Sequence, residues 1–412
     1  MIYDIIIIWA WAAGLFSWIN LPKNMSKLIL EKNKHPWVKV LLSGWERANV
    51  SNMDIEVERD YFTQNKKALI WVFAKYNQWD IQSFFAENWI DIIEEDRWRL
   101  ILESWDSKEL LSLLIRKVKE NKCEIRTNSN VKIISPHPNP LPWWERGQGQ
   151  LFEIETETWE KYECKNIIVS TWWKSFFQVW TTGEWYNFAW EFWLNIISPT
   201  RALVWLSTKK DFKELSGSSL SCEIKLIDKV LIHPPAGTSF EKGRNKKEIY
   251  SEFWPLLFTH FWISWPIVFN TANALWEYLN SPHLTSPKGE GLEKEADKIK
   301  YILENIKVEL RINPKNSTKK INKFFSSHLS SPEGEEFEQF SVEFWLQDWR
   351  SWKEAKATGW WIDLNELDKN FMAKKVPWLY FIWEVIDVVG KTWGFNLQWA
   401  WSSWYVCGKS FE

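Results

Sequence analysis

The chain opens on four consecutive isoleucines, Ile5 to Ile8. A run without polar alternation is what a strand shows when both faces of a parallel sheet cover it. From Ala12 to Asn20 the spacing predicts a helix, and Lys27 to Glu31 a second strand. Helices follow at Ile81 to Glu87 and Ser107 to Asn121; in the second, Leu110, Leu111, Leu113, Leu114 and Val118 fall at helical spacing and belong to a core. Cys123 to Ile134 and Phe152 to Glu163 predict a hairpin interrupted by the Pro- and Gly-bearing stretch Ser135 to Gln150. Asn166 to Thr171 predicts another buried strand, and Leu379 to Asp387 returns to the same pattern. From about Ile196 to Glu343 the pattern changes to short alternating strands such as Ser221 to Ile232, then the helix Glu293 to Asn305 and the strand Lys307 to Leu310. The expected fold is α/β: a Rossmann-like domain over 1–195 and 344–412, interrupted by a mainly-β, barrel-like domain with a small helical part over 196–343.

The turn after the first strand carries the sharpest chemistry. Trp9, Trp11 and Gly14 occupy the three glycine positions of a G-x-G-x-x-G phosphate turn, and the acid Glu31 follows about 20 residues later, where a ribose carboxylate belongs. The first glycine makes the tight turn and the second admits the pyrophosphate, so an indole at either place fills the ligand's volume. Composition points the same way: an average chain of this length carries about 29 glycines, whereas this one has 15 Gly beside 35 Trp. Tryptophan stands where glycine is wanted in Gly44-Trp45-Glu46, Thr171-Trp172-Trp173, Gly359-Trp360-Trp361 and Thr392-Trp393-Gly394. The chain also holds a control. Ser281 to Glu290 recurs as Ser326 to Glu335, and a third relative beginning at Ser135 places Trp144 where the copies have Gly289 and Gly334. The three copies read as mobile sequence inserted into tolerant loops. Most tryptophans are thus expected to be glycines written as Trp by a translation table that misreads UGA; the alternative is a Trp-rich protein taken at face value.

Charge and cysteines set bounds. A net charge of −2 and scattered Lys and Arg give no electrostatic footprint for nucleic acid or an anionic membrane, so neither partner is expected. Cys123, Cys164, Cys222 and Cys407 form no C-x-x-C pair, which excludes a paired redox disulfide motif and a zinc knuckle and suits a reducing, cytoplasmic setting. Six histidines without close pairs make a metal site unexpected. The N-terminus carries no basic segment ahead of its short apolar run and reads as neither signal peptide nor spanning helix.

Taken in order, these motifs resemble the BaiN/YhiN-like family of FAD-dependent oxidoreductases over nearly the whole chain. The resemblance rests on Trp9-Ala10-Trp11-Ala12-Ala13-Gly14, Glu31-Lys32-Asn33, the loop Leu41 to Asn52 with Ser43-Gly44-Trp45-Glu46-Arg47-Ala48-Asn49 within it, Thr171-Trp172-Trp173-Lys174-Ser175, Thr181-Thr182-Gly183-Glu184-Trp185, Leu257 to Pro266, and Trp383-Glu384-Val385-Ile386-Asp387 leading to Trp393-Gly394-Phe395-Asn396-Leu397-Gln398-Trp399-Ala400. Trp399 matches a true family tryptophan. Ala48 stands where the family has cysteine, and Glu46 where it has a third glycine.

The resemblance implies FAD as cofactor. Trp9, Trp11, Ala13 and Gly14 would hold the pyrophosphate, Glu31 the ribose and the Val131 backbone the adenine. Thr171 and Trp172 would form a second turn beside the cofactor, with Ser43 and Arg47 near it. Trp383 and Asp387 would meet the ribityl chain, while Gly394, Phe395 and Asn396 bring a helix N-terminus to the flavin's pyrimidine edge. No catalytic residue is fixed; His260 and Arg47 are the candidates, against a loop-packing histidine and a surface arginine. The activity implied is hydride transfer between flavin and a small organic substrate, of conjugated-enone or amine type, with NADH or NADPH as a transient donor. A flavin-binding protein with an RNA-related or sensing role, and a chain without function as written, are the other readings. The oligomeric state is not legible.

Overall fold

The computed structural model describes residues 1–9, 16, 18–34, 49–121, 124–136, 151–171, 192–197, 200–229, 247–280, 295–328, 340–350, 353–359 and 362–412. They fall into two compact units, Met1–Ile197 with Trp360–Glu412, and Ser198–Gly359.

The first unit is Rossmann-like and built on one mixed sheet. In spatial order its strands are Glu124–Arg126, Lys27–Leu30, Ile2–Ile8, Lys161–Val169, Phe152–Thr156 and Val131–Pro136, and Leu379–Phe381 also pairs with Lys161–Val169. The first four and Leu379–Phe381 run parallel; Phe152–Thr156 is antiparallel to both its neighbours, Lys161–Val169 and Val131–Pro136. Ile5 to Ile8 are fully buried, as their unbroken apolar run requires. The helix Ser107–Glu120 starts at Asp106, whose carboxylate accepts from the Lys108 N–H, and it buries the predicted leucines.

Two strand expectations are corrected. The interrupted hairpin is a three-stranded meander, because Phe152–Thr156 pairs with Val131–Pro136 on one side and turns at Trp159 back into Lys161–Val169 on the other. The strand expected to reach Asp387 stops at Phe381 and gives way to a short 3-10 turn, Trp383–Val385. Trp383 has φ +65°, a left-handed backbone that a β ladder does not accommodate.

The second unit is a closed barrel of six antiparallel strands, in the order Leu206–Thr208, Trp262–Ser264, Lys247–Phe258, Ser219–Asp228, Ile306–Ile312 and Phe340–Trp349. Alternation in Ser219–Asp228 buries Leu220, Cys222, Ile224 and Leu226, and closure leaves no free edge. The helix Pro266–Leu279 packs on Lys247–Phe258. Phe340–Trp349 closes the barrel, so the expected boundary at 343/344 falls inside a strand.

Among the described residues, fourteen other than glycine have left-handed φ, and ten of these are tryptophans: Trp9, Trp89, Trp98, Trp105, Trp159, Trp193, Trp265, Trp378, Trp383 and Trp393. A bulky side chain there is an outlier that costs roughly 1–2 kcal/mol, and glycine alone adopts the conformation freely.

Candidate cofactor site at the strand ends

Four adjacent parallel strands deliver four of the predicted residues to one edge of the sheet. In the paired register Ile8 lies beside Leu30 on one side and Val169 on the other, and Val169 lies beside Phe381. Within two residues of these C-terminal ends come Trp9, Glu31, Thr171 and Trp383. In open α/β sheets the crevice outside the carboxyl ends of the strands is where ligands bind.

Short hydrogen bonds tie these ends together. The Trp9 N–H donates to the Leu30 carbonyl at 2.8 Å. Ser170 Oγ donates to the Ile8 and Trp9 carbonyls at 3.0 and 3.1 Å. Glu31 is fully buried, and its Oε1 accepts from the Asn33 N–H at 2.8 Å and from Asn33 Nδ2 at 3.0 Å. The Glu31 carbonyl accepts from the Ser129 N–H at 2.8 Å, which brings the loop before Val131 to the same acid. Trp9, Glu31, Val131 and Thr171 therefore form one neighbourhood.

The C-terminal group is held by a different set of contacts. Asp387 is fully buried; its Oδ2 accepts from the Gln64 N–H at 3.3 Å and its own N–H donates to the Ile362 carbonyl at 2.9 Å. The helix Phe395–Lys409 begins at Gly394, whose φ is +97°. A Cβ on Gly394 would meet the Ser51 carbonyl oxygen at 2.1 Å, so this position admits no side chain. Asn396 clamps the preceding turn: Oδ1 accepts from the Gly390 N–H at 2.9 Å, and Nδ2 donates to the Gly390 and Lys391 carbonyls. Tyr61 Oη donates to the buried Phe395 carbonyl at 2.9 Å.

Ser51 and Asn52 end the Leu41 to Asn52 motif, and neither had a role assigned from sequence. Asn52 Nδ2 donates to the Trp393 carbonyl at 3.2 Å and the Arg97 carbonyl at 3.1 Å, and Ser51 Oγ donates to Gln398 Oε1 at 2.6 Å. Both lie in the short strand Asn49–Asn52. Their signal was an amide and a hydroxyl in a strand too short to show a period.

For a dinucleotide the residues present divide cleanly. Thr171 Oγ1 is buried with no hydrogen-bond partner among the described residues, a polar atom suited to a ligand. Trp9 does not fit: its backbone turns at φ +83° as the first glycine of the fingerprint must, while its indole is buried and its Nε1 has no partner among the described residues. With glycine at position 9 the same backbone fits.

Trp11, Ala13, Gly14, Ser43, Arg47 and Trp172 lie outside the described residues. His260 is exposed in the barrel unit, between the strands Lys247–Phe258 and Trp262–Ser264, with Nδ1 at 3.2 Å from Ser216 Oγ. Burial pushes the thiols of Cys164 and Cys407 far up and that of Cys222 up to about 12. Among the described residues no cluster of His, Cys, Asp or Glu is arranged to hold a metal ion, and no helix is long and apolar enough to cross a membrane.

Two curated relatives cover the chain almost end to end. A ribosomal RNA dihydrouridine synthase of Haemophilus influenzae is 27% identical over 99% of this chain and 98% of its own. Its namesake in Escherichia coli is 26% identical over 99% of this chain and 97% of its own. Among solved structures, the THI4 protein of Thermovibrio ammonificans overlaps 41% of this chain and 57% of its own with 11% identity and a TM-score of 0.28, too little to argue from. The relatives' names overturn the expectation that nucleic acid is excluded. That expectation rested on net charge, and a whole-chain sum near zero hides any local excess. A family profile described as the HI0933-like protein Rossmann domain matches residues 3–410, and the chain belongs to that family.

Proposed function

We propose that this chain is an FAD-dependent oxidoreductase acting on ribosomal RNA, and that the tryptophans at left-handed backbone positions are glycines in the protein its organism makes. The observation that carries the cofactor assignment is the convergence of Trp9, Glu31, Thr171 and Trp383 on the C-terminal ends of four adjacent parallel strands. Positions 9 and 11 as glycine, with Ala13 and Gly14, leave the pyrophosphate against backbone N–H groups. Glu31, fixed by Asn33, takes the ribose, and the Val131 backbone the adenine. The Thr171 hydroxyl, buried with no partner among the described residues, is offered to the cofactor at the end of its strand. Asp387 faces the ribityl chain, and a carboxylate buried this deeply requires polar company. Gly394, Phe395 and Asn396 present a helix N-terminus, whose dipole favours negative charge at the flavin's pyrimidine edge.

Bound FAD would supply two-electron hydride chemistry, with NADH or NADPH as the source of electrons. The substrate class follows from the two relatives named ribosomal RNA dihydrouridine synthases. A uracil ring has a C5=C6 bond conjugated to a carbonyl and so belongs with the enone-type acceptors; saturating it takes one hydride and one proton. No thiol is assigned to the proton transfer. Position 48 is alanine, and Cys164, Cys222 and Cys407 are buried.

The test uses the chain made from its own gene with UGA read as glycine, called here the glycine form. It is incubated without oxygen with unmodified ribosomal RNA and NADPH, and the digested nucleosides are analysed by mass spectrometry. Dihydrouridine above the NADPH-free control is expected. A yellow, flavin-loaded protein that makes none would remove the substrate assignment; a colourless protein would remove FAD.

A further inference from the structure

One stretch of the barrel unit departs from the even charge of the rest. From Arg311 to Pro332 the chain has five basic residues and no acidic one. Arg311 is neutralised, since its Nε lies 2.7 Å from Glu309 Oε1. Lys315, Lys319, Lys320 and Lys323 are exposed. Among the described residues none of the four has an ion-pair partner.

The fold holds these lysines on one rigid face. In the helix Lys319–His328, Lys319, Lys320 and Lys323 fall at i, i+1 and i+4, while Ile321, Phe324 and Phe325 on the opposite side are buried. Phe325 packs on Phe258 and Phe340, and Phe324 on Phe212, with ring centroids 6.0, 6.4 and 6.3 Å apart. Lys315 is held beside them because Asn322 Nδ2 donates to the Pro314 carbonyl at 3.0 Å. The first helical turn has two lysines and no acid, against the preference of the helix dipole for anions there. Local stability does not explain that choice, whereas attraction of a polyanion does.

We infer that Lys315, Lys319, Lys320 and Lys323 form the face on which the barrel unit docks the phosphate backbone of ribosomal RNA. The inference rests on the RNA-substrate reading above and deepens it. Lysine–phosphate pairing of this kind positions a nucleic acid without reading its sequence, so the face supplies affinity and salt dependence.

The test compares three versions of the full-length, flavin-loaded glycine form: the parent, Lys315/Lys319/Lys320/Lys323→Glu, and a control with Lys23, Lys108, Lys119 and Lys369→Glu. Those four control lysines are exposed and scattered over the other unit. Binding to purified ribosomal RNA is titrated at several salt concentrations, and flavin content and thermal midpoint report on folding. Glutamate in the first turn of the helix Lys319–His328 suits the dipole, so the variant is expected to stay folded. The expected result is affinity lower by about tenfold or more and a salt slope shallower by about 3, at roughly 0.7–0.9 for each phosphate that is no longer neutralised, with the control near the parent. A parent that binds RNA and a face variant that binds as well overturn the docking face and leave the substrate reading intact. Equal losses in face variant and control overturn it too, since net charge then suffices. A parent that binds no RNA overturns the substrate reading and the inference with it. Loss of binding to phosphatidylglycerol vesicles with RNA binding unchanged would assign the face to membranes instead.

Discussion

Trp399 and Trp9 are buried tryptophans of the same unit, and their surroundings differ at every point. Trp399 lies inside the helix Phe395–Lys409; its Nε1 donates to the Trp383 carbonyl at 3.3 Å, and its ring meets Phe371 and Phe73 at centroid distances of 5.8 and 6.5 Å. Two residues on, Trp401 Nε1 donates to the Val50 carbonyl at 2.8 Å. Trp9 has φ +83° and a buried Nε1 with no partner among the described residues. An indole in place buries its area and satisfies its one donor. At position 9 the indole sits on a left-handed backbone and leaves its donor stranded, at about 1–3 kcal/mol. Of the two marks only the left-handed backbone sorts the tryptophans: Trp276, Trp349 and Trp404 also bury an Nε1 without a partner among the described residues on ordinary backbones, and Trp89, Trp159 and Trp193 are left-handed with exposed rings.

The largest effect expected from this contrast is on the cofactor. The glycine form should purify yellow with near-stoichiometric flavin, while the same protein with Trp at positions 9 and 11 should be colourless; equal flavin absorbance in both would break the comparison at its phosphate-turn end. Next comes Trp399→Ala in the glycine form, which empties a filled site and should cost about 3–5 kcal/mol in chemical denaturation. A loss below about 1 kcal/mol would mean that Trp399 is no better placed than Trp9. Smaller and opposite in sign is Trp393→Gly in the chain as written. With φ +83° relieved, stability should rise by about 1–3 kcal/mol, less the stacking of Arg99 on the indole at 4.3 Å. A destabilised variant would show that the indole belongs there.

How much of this was legible depends on the signal each element carried. Ile5 to Ile8 announced a doubly covered strand because no polar residue interrupts them, and the leucine pattern announced Ser107–Glu120 nearly to the residue. The turn at Trp159 was invisible, because tryptophan, which makes it at φ +63°, is a residue type that reads as strand. The domain boundary was placed early although Phe340, Val342, Phe344 and Leu346 alternate into the barrel; a barrel strand beside a linker has no turn signal to mark it. Asn52 lay within the Leu41 to Asn52 motif, but its bonds to the Arg97 and Trp393 carbonyls were not legible, since one polar residue in a four-residue strand has no periodicity. The lysine face was lost in a net charge that sums to −2.

The smallest expected effect concerns the cysteines. Burial raises the Cys164, Cys222 and Cys407 thiols, the second to about 12, so at pH 8 all three stay protonated and enclosed. Peptide mapping after maleimide treatment should find them unlabelled until the protein is unfolded, and flavin reduction by NADPH should survive replacement of all four cysteines. Loss of reduction with flavin retained would restore a thiol to the mechanism.

The most direct test of the central claim is the nucleotide sequence of the gene at the sorted positions. UGA is expected under Trp9, Trp89, Trp98, Trp105, Trp159, Trp193, Trp265, Trp378, Trp383 and Trp393, the left-handed ten, and UGG under Trp399 and Trp401. UGG under Trp9 and Trp393, or UGA under Trp399, would contradict it.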